Sequence, residues 1–180
     1  TTPLLALGMR YVRRGAFPKE VFNPLTHALF HLCRKNRSRM EMAVRAELIP
    51  LLKHVVANNK PLKDFAVPLM CEMAGAGGDT LDALLRNDGV AFFLALLADN
   101  KSSFQADAME ALAACLEHRQ TATEAAIEQY PSASILLDAF VGPLHLVPQH
   151  QLVNLTDALV KVLAASPRIA TRLGRDRSEV

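Results

Sequence analysis

Two apolar patterns alternate along this chain and repeat every 38 to 47 residues. The first pattern is an alanine, a leucine or valine, two variable positions and two apolar residues. Apolar residues with the spacing of one helix face recur between its copies, whereas runs of alternating β-branched residues are absent. We therefore predict an all-α chain that buries its apolar faces by stacking similar helical units. The four copies begin at Ala28, Ala66, Ala111 and Ala158.

The second pattern places apolar residues at relative positions 1, 3, 4, 7 and 8, in copies 44, 41 and 43 residues apart. A third, short helical segment lies between the two patterns. A period of about 40 to 47 residues is typical of armadillo and HEAT repeats, and three helices per repeat favour the armadillo type. The chain is thus predicted to form an armadillo/HEAT-like, right-handed solenoid of about four repeats. The second pattern begins at Leu5, Ile49, Val90 and Ala133, and the short segments span 38–45, 80–87, 121–130 and 167–173.

These patterns predict a single armadillo-like repeat domain over residues 1–174 and a polar tail at 175–180. The alanine of the first pattern should lie where two helices approach closely, so Ala66 is expected to be buried. Asp79 or Thr80 should cap the helix that follows a glycine-rich segment. The predicted repeats are a partial one at 1–36, three at about 37–77, 78–119 and 120–166, and the start of another at 167–174.

The composition is that of a folded protein, with 51% hydrophobic and 21% charged residues among 180. No apolar run reaches the roughly 18 residues of a membrane span, and no basic-then-apolar leader begins the chain. The chain lacks an initiator methionine and begins inside an apolar pattern, so we expect it to be a fragment of a longer protein. Cys33, Cys71 and Cys115 lie in apolar runs, which predicts reduced thiols in an intracellular protein.

Charge is distributed unevenly along the chain. Residues 1–63 carry 12 Lys/Arg against 3 Asp/Glu, whereas residues 64–158 carry 3 against 13. One interpretation is random surface composition; the other is an elongated molecule whose basic end and acidic middle orient its encounter with a charged partner. Nucleic acid is disfavoured as that partner, because the middle is acidic and no aromatic residues accompany the basic run at 34–39 in a stacking pattern.

The sequence carries no pattern typical of a catalytic, cofactor or metal site. The glycine-rich segment 75–78 lacks the Lys-Ser/Thr of a phosphate loop, and residues 118–120 lack the aspartate of a kinase catalytic loop. His27 and His31 share a helix face, but Cys33 lies about 200° round the helix from His31 and should point into the core. We therefore predict a non-enzymatic chain without cofactor or metal.

The helices that carry the first pattern supply most candidate binding residues. In armadillo repeats the third helix usually lines the concave face, and here the third helix carries this pattern. Phe30 and Phe65 are the candidate aromatic anchors, because aromatic residues are enriched at interface hot spots; burial between repeats is the alternative for both. The remaining candidates are polar residues on the same helices and the basic run: His27, His31, Arg34, Lys35, Arg37, Arg39, Asp64, Glu110, Asp157 and Lys161.

Five stretches carry a resemblance to a known family: Asn23–Arg39 (NPLTHALFHLCRKNRSR), Glu47–Leu52, Pro61–Ala74 (PLKDFAVPLMCEMA), Asn87–Asp99 (NDGVAFFLALLAD) and Leu163–Ala170. They are similar to the C-terminal armadillo-like region of the fungal septation-initiation and mitotic-exit network Ser/Thr protein kinases. The plant mitogen-activated kinase kinase kinase epsilon proteins resemble this chain as well. The match is good over residues 17–99 and looser over 100–150, where the family has aromatic residues that this chain lacks.

The resemblance implies a parent Ser/Thr kinase that controls cytokinesis at the spindle pole. It implies that this chain lies outside the catalytic domain, in the cytoplasm at the spindle pole body or septation site, and that it binds a Ras-like small GTPase or a spindle-pole scaffold. The alternative is a structural module that forms a homodimer of the kinase. A binder of small molecules or nucleic acid is a weaker third hypothesis, and we predict no membrane partner.

Overall fold

The structure, a computed structural model, describes residues 2–13, 19–58, 62–99, 102–129, 140–142 and 149–175 of the chain. These ranges contain ten helices of nine or more residues and no β-strand, which confirms over the described residues that the chain is all-α. Among these residues, no helix combines the length and the hydropathy that crossing a bilayer requires. In chain order the helices are α1 (Thr2–Arg13), α2 (Lys19–Cys33), α3 (Arg37–Arg45), α4 (Leu48–Asn58), α5 (Lys63–Ala76), α6 (Gly78–Arg86), α7 (Gly89–Ala98), α8 (Gln105–Glu128), α9 (Gln149–Ala165) and α10 (Pro167–Arg175).

The helices correspond to the three kinds of segment in the sequence. The alanine-led pattern lies on α2, α5, the first part of α8 and α9, and the second pattern lies on α1, α4 and α7. The short segments are α3, α6, the end of α8 and α10. The fourth copy of the second pattern begins at Ala133 and lies outside the described residues up to Phe140, which is buried. The repeat boundaries themselves remain a prediction.

The alanines that begin the first pattern lie at helix contacts. Ala66, Ala111 and Ala158 are each at most 2% exposed, and Ala28 is half-buried. A larger side chain at the three buried positions would have to displace a neighbouring helix, because protein interiors are close-packed. The predicted burial of Ala66 is therefore confirmed.

The chain divides into two compact units, Thr1–Asn87 and Asp88–Val180. In the first unit the helices form two triplets, and each helix contacts its counterpart: α1 contacts α4, α2 contacts α5, and α3 contacts α6. The core of this unit lies among these six helices. Its largest fully buried side chains are Leu5, Leu29, Leu48, Ile49, Leu51, Leu52, Leu62, Leu69 and Met70.

Gly8 marks a close approach of α1 to its neighbours. A Cβ at this position would lie 2.8 Å from Leu25 Cδ2 on α2 and 3.1 Å from Leu51 Cδ2 on α4. Leu52 and Phe93 fill the equivalent position in the next two copies of the second pattern. Glycine replaces them in α1 because two leucine side chains already occupy the space.

In the second unit α8 contacts both α7 and α9, and α9 contacts α10. Phe93 and Phe140 are its largest fully buried side chains. The buried side-chain amide of Gln105 donates hydrogen bonds to the carbonyl oxygens of Leu97 and Asp99, at 3.1 and 3.3 Å. These bonds tie the end of α7 to the start of α8.

A kink divides α8 at Arg119, whose dihedral angles (φ −145°, ψ 56°) are not helical. Two helical segments thus meet at the position where the sequence predicts that one repeat ends. The buried hydroxyl of Thr123 donates a hydrogen bond of 3.1 Å to the carbonyl oxygen of Cys115 across the kink. This bond satisfies a buried carbonyl that lies next to the kink.

The start of α6 differs from the prediction. The helix begins at Gly78 without a side-chain cap, so the prediction that Asp79 or Thr80 caps it is wrong. Gly77 and Gly78 have φ angles of 66° and 52°, which glycine adopts without strain, and α6 therefore follows α5 after a single residue. The carboxylate of Asp79 instead accepts a hydrogen bond of 3.1 Å from Arg45 Nη2, and the hydroxyl of Thr80 is buried.

Candidate protein-interaction surfaces

In the first unit, α2 and α5 bring four of the predicted residues into one aromatic cluster. His27 packs on Phe65 with ring centroids 3.8 Å apart, and Phe30 meets Phe65 edge to face at 5.5 Å. His31 makes a further edge-to-face contact with Phe30 at 5.3 Å. The two edge-to-face pairs that Phe30 makes have the geometry and separation that are favourable for aromatic rings. The aromatic cluster, His27, Phe30, His31 and Phe65, is therefore a fixed part of the contact between α2 and α5.

The members of the aromatic cluster differ in exposure. Phe30 is only 8% exposed. Its ring is therefore buried, which is the predicted alternative to a surface anchor. The reason is that Phe65, His31 and the Arg34 guanidinium, 5.2 Å from the ring centre, all cover it. Phe65 is half-buried, whereas His27 and His31 are exposed. The accessible part of the cluster therefore consists of the two imidazoles and Phe65.

Cys33 lies away from the two histidines, in the core, as the helix geometry predicts. It is fully buried, and this burial raises the pKa of its thiol. His27 and His31 are exposed on the other side of α2. In the part of the chain that the structure describes, no group of three or more His, Cys, Asp or Glu side chains could hold a metal ion.

The junction between α2 and α3 displays four exposed cations, Arg34, Lys35, Arg37 and Arg39, which together form the basic corner. Lys35 has a positive φ of 54°, so the chain turns sharply between the two helices. The side chain of Asn36 then caps α3, because its Oδ1 accepts a hydrogen bond of 3.0 Å from the backbone N–H of Arg39. The local fold thus places four cations around a single turn.

Glu72 on α5 anchors the basic corner. Its Oε1 accepts a hydrogen bond from Arg34 Nε at 3.3 Å, and its Oε2 accepts one from the backbone N–H of Lys35 at 3.1 Å. Arg37 pairs with Glu41, one turn later on α3, at 3.2 Å. The four cations are thus accompanied by two paired carboxylates, and two positive charges are left in excess. Because both ion pairs are exposed, they orient the side chains more than they stabilise the fold.

In the second unit α8 and α9 border a groove of about 330 Å³, the α8–α9 groove. Four alanines and three charged residues line it. Lys161 on α9 pairs with Glu110 on α8, with Nζ 2.6 Å from Oε1. The lining residues are Glu110, Ala113, Ala114, Glu117, Lys161, Ala164 and Ala165.

Carboxylates around the α8–α9 groove raise the pKa of Lys161. The hydrogen bond to Glu110 has the largest effect, followed by the charge of Glu110 and then those of Asp157 and Glu117. Glu110, Asp157 and Lys161, all chosen from the sequence, are therefore brought together in this unit. Three carboxylates around one ammonium group make this surface negative, which is complementary to a cationic partner.

The predicted binding residues thus divide between the two units. The first unit holds the aromatic cluster and the basic corner, together with Asp64, an exposed residue in the first turn of α5. The second unit holds Glu110, Asp157 and Lys161. That these residues bind a partner remains a prediction.

Glu72 was not predicted from the sequence. Arg34 and Glu72 each follow the cysteine that ends a copy of the first pattern, so they occupy equivalent positions 38 residues apart. His27 and Phe65, which contact each other, are also 38 residues apart. Equivalent positions on these two stacked helices thus lie side by side, and opposite charges one repeat apart are the signal that predicts the ion pair.

Comparison with known proteins finds fungal proteins of cytokinesis and cell division and plant protein kinases that are similar to the chain. It is 35% identical over 166 residues to cytokinesis protein sepH of Emericella nidulans, and 30% identical over 162 residues to MAP3K epsilon protein kinase 1 of Brassica napus. It is 28% identical over 176 residues to cell division control protein 7 of Schizosaccharomyces pombe. These matches cover 91%, 90% and 96% of this chain. No protein-family model and no solved structure matches it.

The same matches cover only a small part of each relative. The chain spans 12% of sepH and of the plant kinase, and 16% of cell division control protein 7. It therefore corresponds to one segment of much longer proteins. The resemblance that the sequence indicates is confirmed: this chain is related to a segment shared by fungal cytokinesis proteins and plant MAP3K epsilon protein kinases.

Proposed function

We propose that this chain is a non-catalytic, protein-binding module of a septation or cytokinesis kinase, and that it localises or activates that kinase. The observation that carries the proposal is the basic corner, where four exposed cations surround one turn, Glu72 fixes the turn, and half of the charge stays unneutralised. A fixed excess of one charge favours encounter with a surface of the opposite charge. The names of the relatives, a cytokinesis protein and protein kinases, support the cellular context.

The proposed architecture is an armadillo-like solenoid of about four repeats. In the first unit, each helix of one triplet contacts its counterpart in the next triplet. In the second unit, a hydrogen bond between Ser166 and Glu124 and an ion pair between Arg168 and Glu128 join α10 to the end of α8. Short helices thus pair with short helices in both units. Contact between neighbouring repeats is the basis of solenoid stability.

The proposed partner is a Ras-like small GTPase or a spindle-pole scaffold, which is the class that the family resemblance implies. The proposed place of action is the cytoplasm, at the septation site or the spindle pole body. The first unit carries 13 Lys/Arg against 7 Asp/Glu, and the second carries 7 against 11. An acidic partner surface therefore suits the basic corner, and a cationic one suits the α8–α9 groove.

Homodimerisation of the kinase is the second candidate function. Val153 and Val160 on α9 are 62% and 58% exposed, and their spacing of seven residues puts them on one helix face. An exposed apolar stripe of this kind would be buried by a second copy of the chain.

The two functions differ in the mass that they predict in solution. The test is the mass of the chain by light scattering, alone and with the Ras-like small GTPase of the septation network in its GDP and GTP forms. Protein binding predicts a monomer that forms a one-to-one complex with one nucleotide form. Dimerisation predicts a stable dimer that does not bind the GTPase and that dissociates in Val160→Asp. This result would contradict the GTPase proposal.

A further inference from the structure

We propose that Ser38 is a phosphorylation site for a basophilic protein kinase, one that selects serines flanked by arginine or lysine, and that phosphate there cancels the positive charge of the basic corner. The consequence for partner binding rests on the proposed function, whereas the modification itself does not.

Ser38 is accessible to a modifying enzyme. It is the second residue of α3, and its side chain is exposed. Lys35 and Asn36, the two residues before α3, are outside the helices: Lys35 is left-handed, and Asn36 is extended at φ −127° and ψ 92°. Only the first turn of α3, closed by the Asn36 cap, has to open to present the hydroxyl, and helix ends open at low cost.

The cations around Ser38 supply the recognition signal. The residues of the basic corner stand four, three and one positions before Ser38 and one position after it. No aspartate or glutamate occurs anywhere in residues 21–40. Guanidinium and ammonium groups form strong, charge-assisted hydrogen bonds with carboxylates, so a kinase cleft lined by acidic residues would bind this segment.

The other described serines lack this combination. Ser102 is half-buried and accepts a hydrogen bond of 3.2 Å from the backbone N–H of Phe104, whereas Ser103 is exposed. Lys101 is the single cation within four residues of either serine. Ser166 is fully buried and donates its hydrogen bond to Glu124. Ser38 is therefore distinguished from them by exposure and by charge together.

The reaction is a phosphoryl transfer from ATP. The Oγ of Ser38 attacks the γ-phosphorus, and an O–P bond forms while the bond from that phosphorus to the oxygen bridging the β-phosphate breaks. ADP leaves, and the serine proton passes to a base of the kinase and then to water.

The negative charge of phosphoserine is close to the excess positive charge of the basic corner. Phosphoserine carries about −1.5 to −2 near neutral pH, and the basic corner has two positive charges in excess. At the second position of α3 the phosphate lies beside the unsatisfied N–H groups and the positive end of the helix. Arg37 and Arg39 flank it in sequence, so the phosphate is held by the surface that it neutralises.

The first test is phosphorylation of the folded chain by the catalytic domain of a protein kinase C with magnesium-ATP, followed by peptide mapping. We expect peptide mapping to place phosphate on Ser38, and we expect this phosphate to be absent in Ser38→Ala and unchanged in Ser103→Ala. The double variant Arg34→Gln/Lys35→Gln should react roughly tenfold more slowly, because two charge-assisted contacts are lost. Rapid modification of a synthetic peptide of residues 33–42 without modification of the folded chain would overturn the proposal, and so would phosphate on Ser103.

The second test is a phosphorus NMR titration of the phosphorylated chain, folded and in urea. The second pKa of the phosphate should be lower in the folded chain than in urea, and Arg39→Gln should move it towards the unfolded value. Identical titrations in both states would overturn the claim that the basic corner holds the phosphate. Neither test uses a partner, so their outcome is separable from that of the proposed function.

Discussion

The hydroxyl of Ser166 donates a hydrogen bond of 2.6 Å to Oε1 of Glu124, and both residues are buried. The same hydroxyl accepts a hydrogen bond of 3.2 Å from the backbone N–H of Ile169 and thereby caps α10. Gln120 donates to the same carboxylate oxygen at 3.0 Å. A small polar network thus joins the end of α8 to the start of α10.

Loss of this network should destabilise the second unit. Ser166→Ala removes both the helix cap and the donor to Glu124, so we expect the free energy of unfolding to fall by about 1–2 kcal/mol. Unfolding in denaturant measures this free energy. The exposed Ser103→Ala is the matched control and should change stability by less than about 0.5 kcal/mol. Equal stability of the two variants would contradict the role of the network.

Stability should also depend on the ionisation of Glu124. The hydrogen bond from Ser166, and next the one from Gln120, lower the pKa of this carboxyl. A group whose pKa is lower in the folded chain stabilises it above the unfolded pKa and loses that effect as the pH falls through the folded value. On acidification from neutral pH, the free energy of unfolding should therefore drop more for the wild type than for Ser166→Ala. Parallel curves would contradict the prediction.

Ala66 should tolerate no charge. Ala66→Glu places a carboxylate where α5 packs against other helices, so we expect a loss of several kcal/mol. Ala57→Glu, at an exposed position on α4, is the matched control and should unfold close to the wild type. Denaturant melts of the two variants give the comparison, and an Ala66→Glu midpoint equal to that of Ala57→Glu would show that α5 does not pack as described.

The ion pair across the α8–α9 groove has a testable pH signature. Glu110 raises the pKa of Lys161 above the ordinary value of 10.5, so the pair stabilises the folded chain below that value and loses its effect as the pH rises through the folded pKa. Glu110→Gln should return the lysine pKa towards its ordinary value, as followed by NMR of the side chain. An unchanged lysine titration in Glu110→Gln would exclude Glu110 as the cause.

The thiol of Cys115 should react only after unfolding. Burial raises its pKa to about 12, so almost no thiolate is present at mildly alkaline pH, and the fold blocks access as well. In Cys33→Ala/Cys71→Ala, labelling by a disulfide reagent should proceed at the rate of unfolding and become fast in denaturant. Fast labelling of the folded variant would contradict the burial of Cys115.

The sequence predicted the elements of this fold better than it predicted the surfaces. Helix periodicity and the buried alanines could be read directly, because each depends on spacing along a single helix. The burial of Phe30 could not be predicted in this way, because it depends on Phe65 from another helix and on Arg34 from a turn. Glu72 was missed for the same reason, although its spacing of 38 residues from Arg34 contains the signal.

The start of α6 shows a second limit of prediction from the sequence. Asp79 and Thr80 are good capping residues, and propensity alone favours them. The positive φ angles of Gly77 and Gly78 allow the helix to begin earlier, and the carboxylate of Asp79 then accepts a hydrogen bond from Arg45. Local preference was overridden there by a contact between α3 and α6.

Association kinetics test whether the basic corner binds an acidic partner. Arg37→Glu/Arg39→Glu reverses two corner charges and spares the Glu72 contacts, whereas Arg10→Glu/Arg86→Glu reverses two exposed charges elsewhere in the same unit. Both variants have the same net charge, and circular dichroism checks that both stay helical. Rates of binding to the GTP-bound Ras-like GTPase are measured at low and at physiological salt, where screening acts over about 8 Å.

We expect the corner variant to associate more slowly than the wild type and with a flatter salt dependence, while its dissociation rate changes less. The control variant should associate at close to the wild-type rate. Equal association rates for the two folded variants, or no association of the wild type with the GTPase, would contradict the claim that this corner binds that partner.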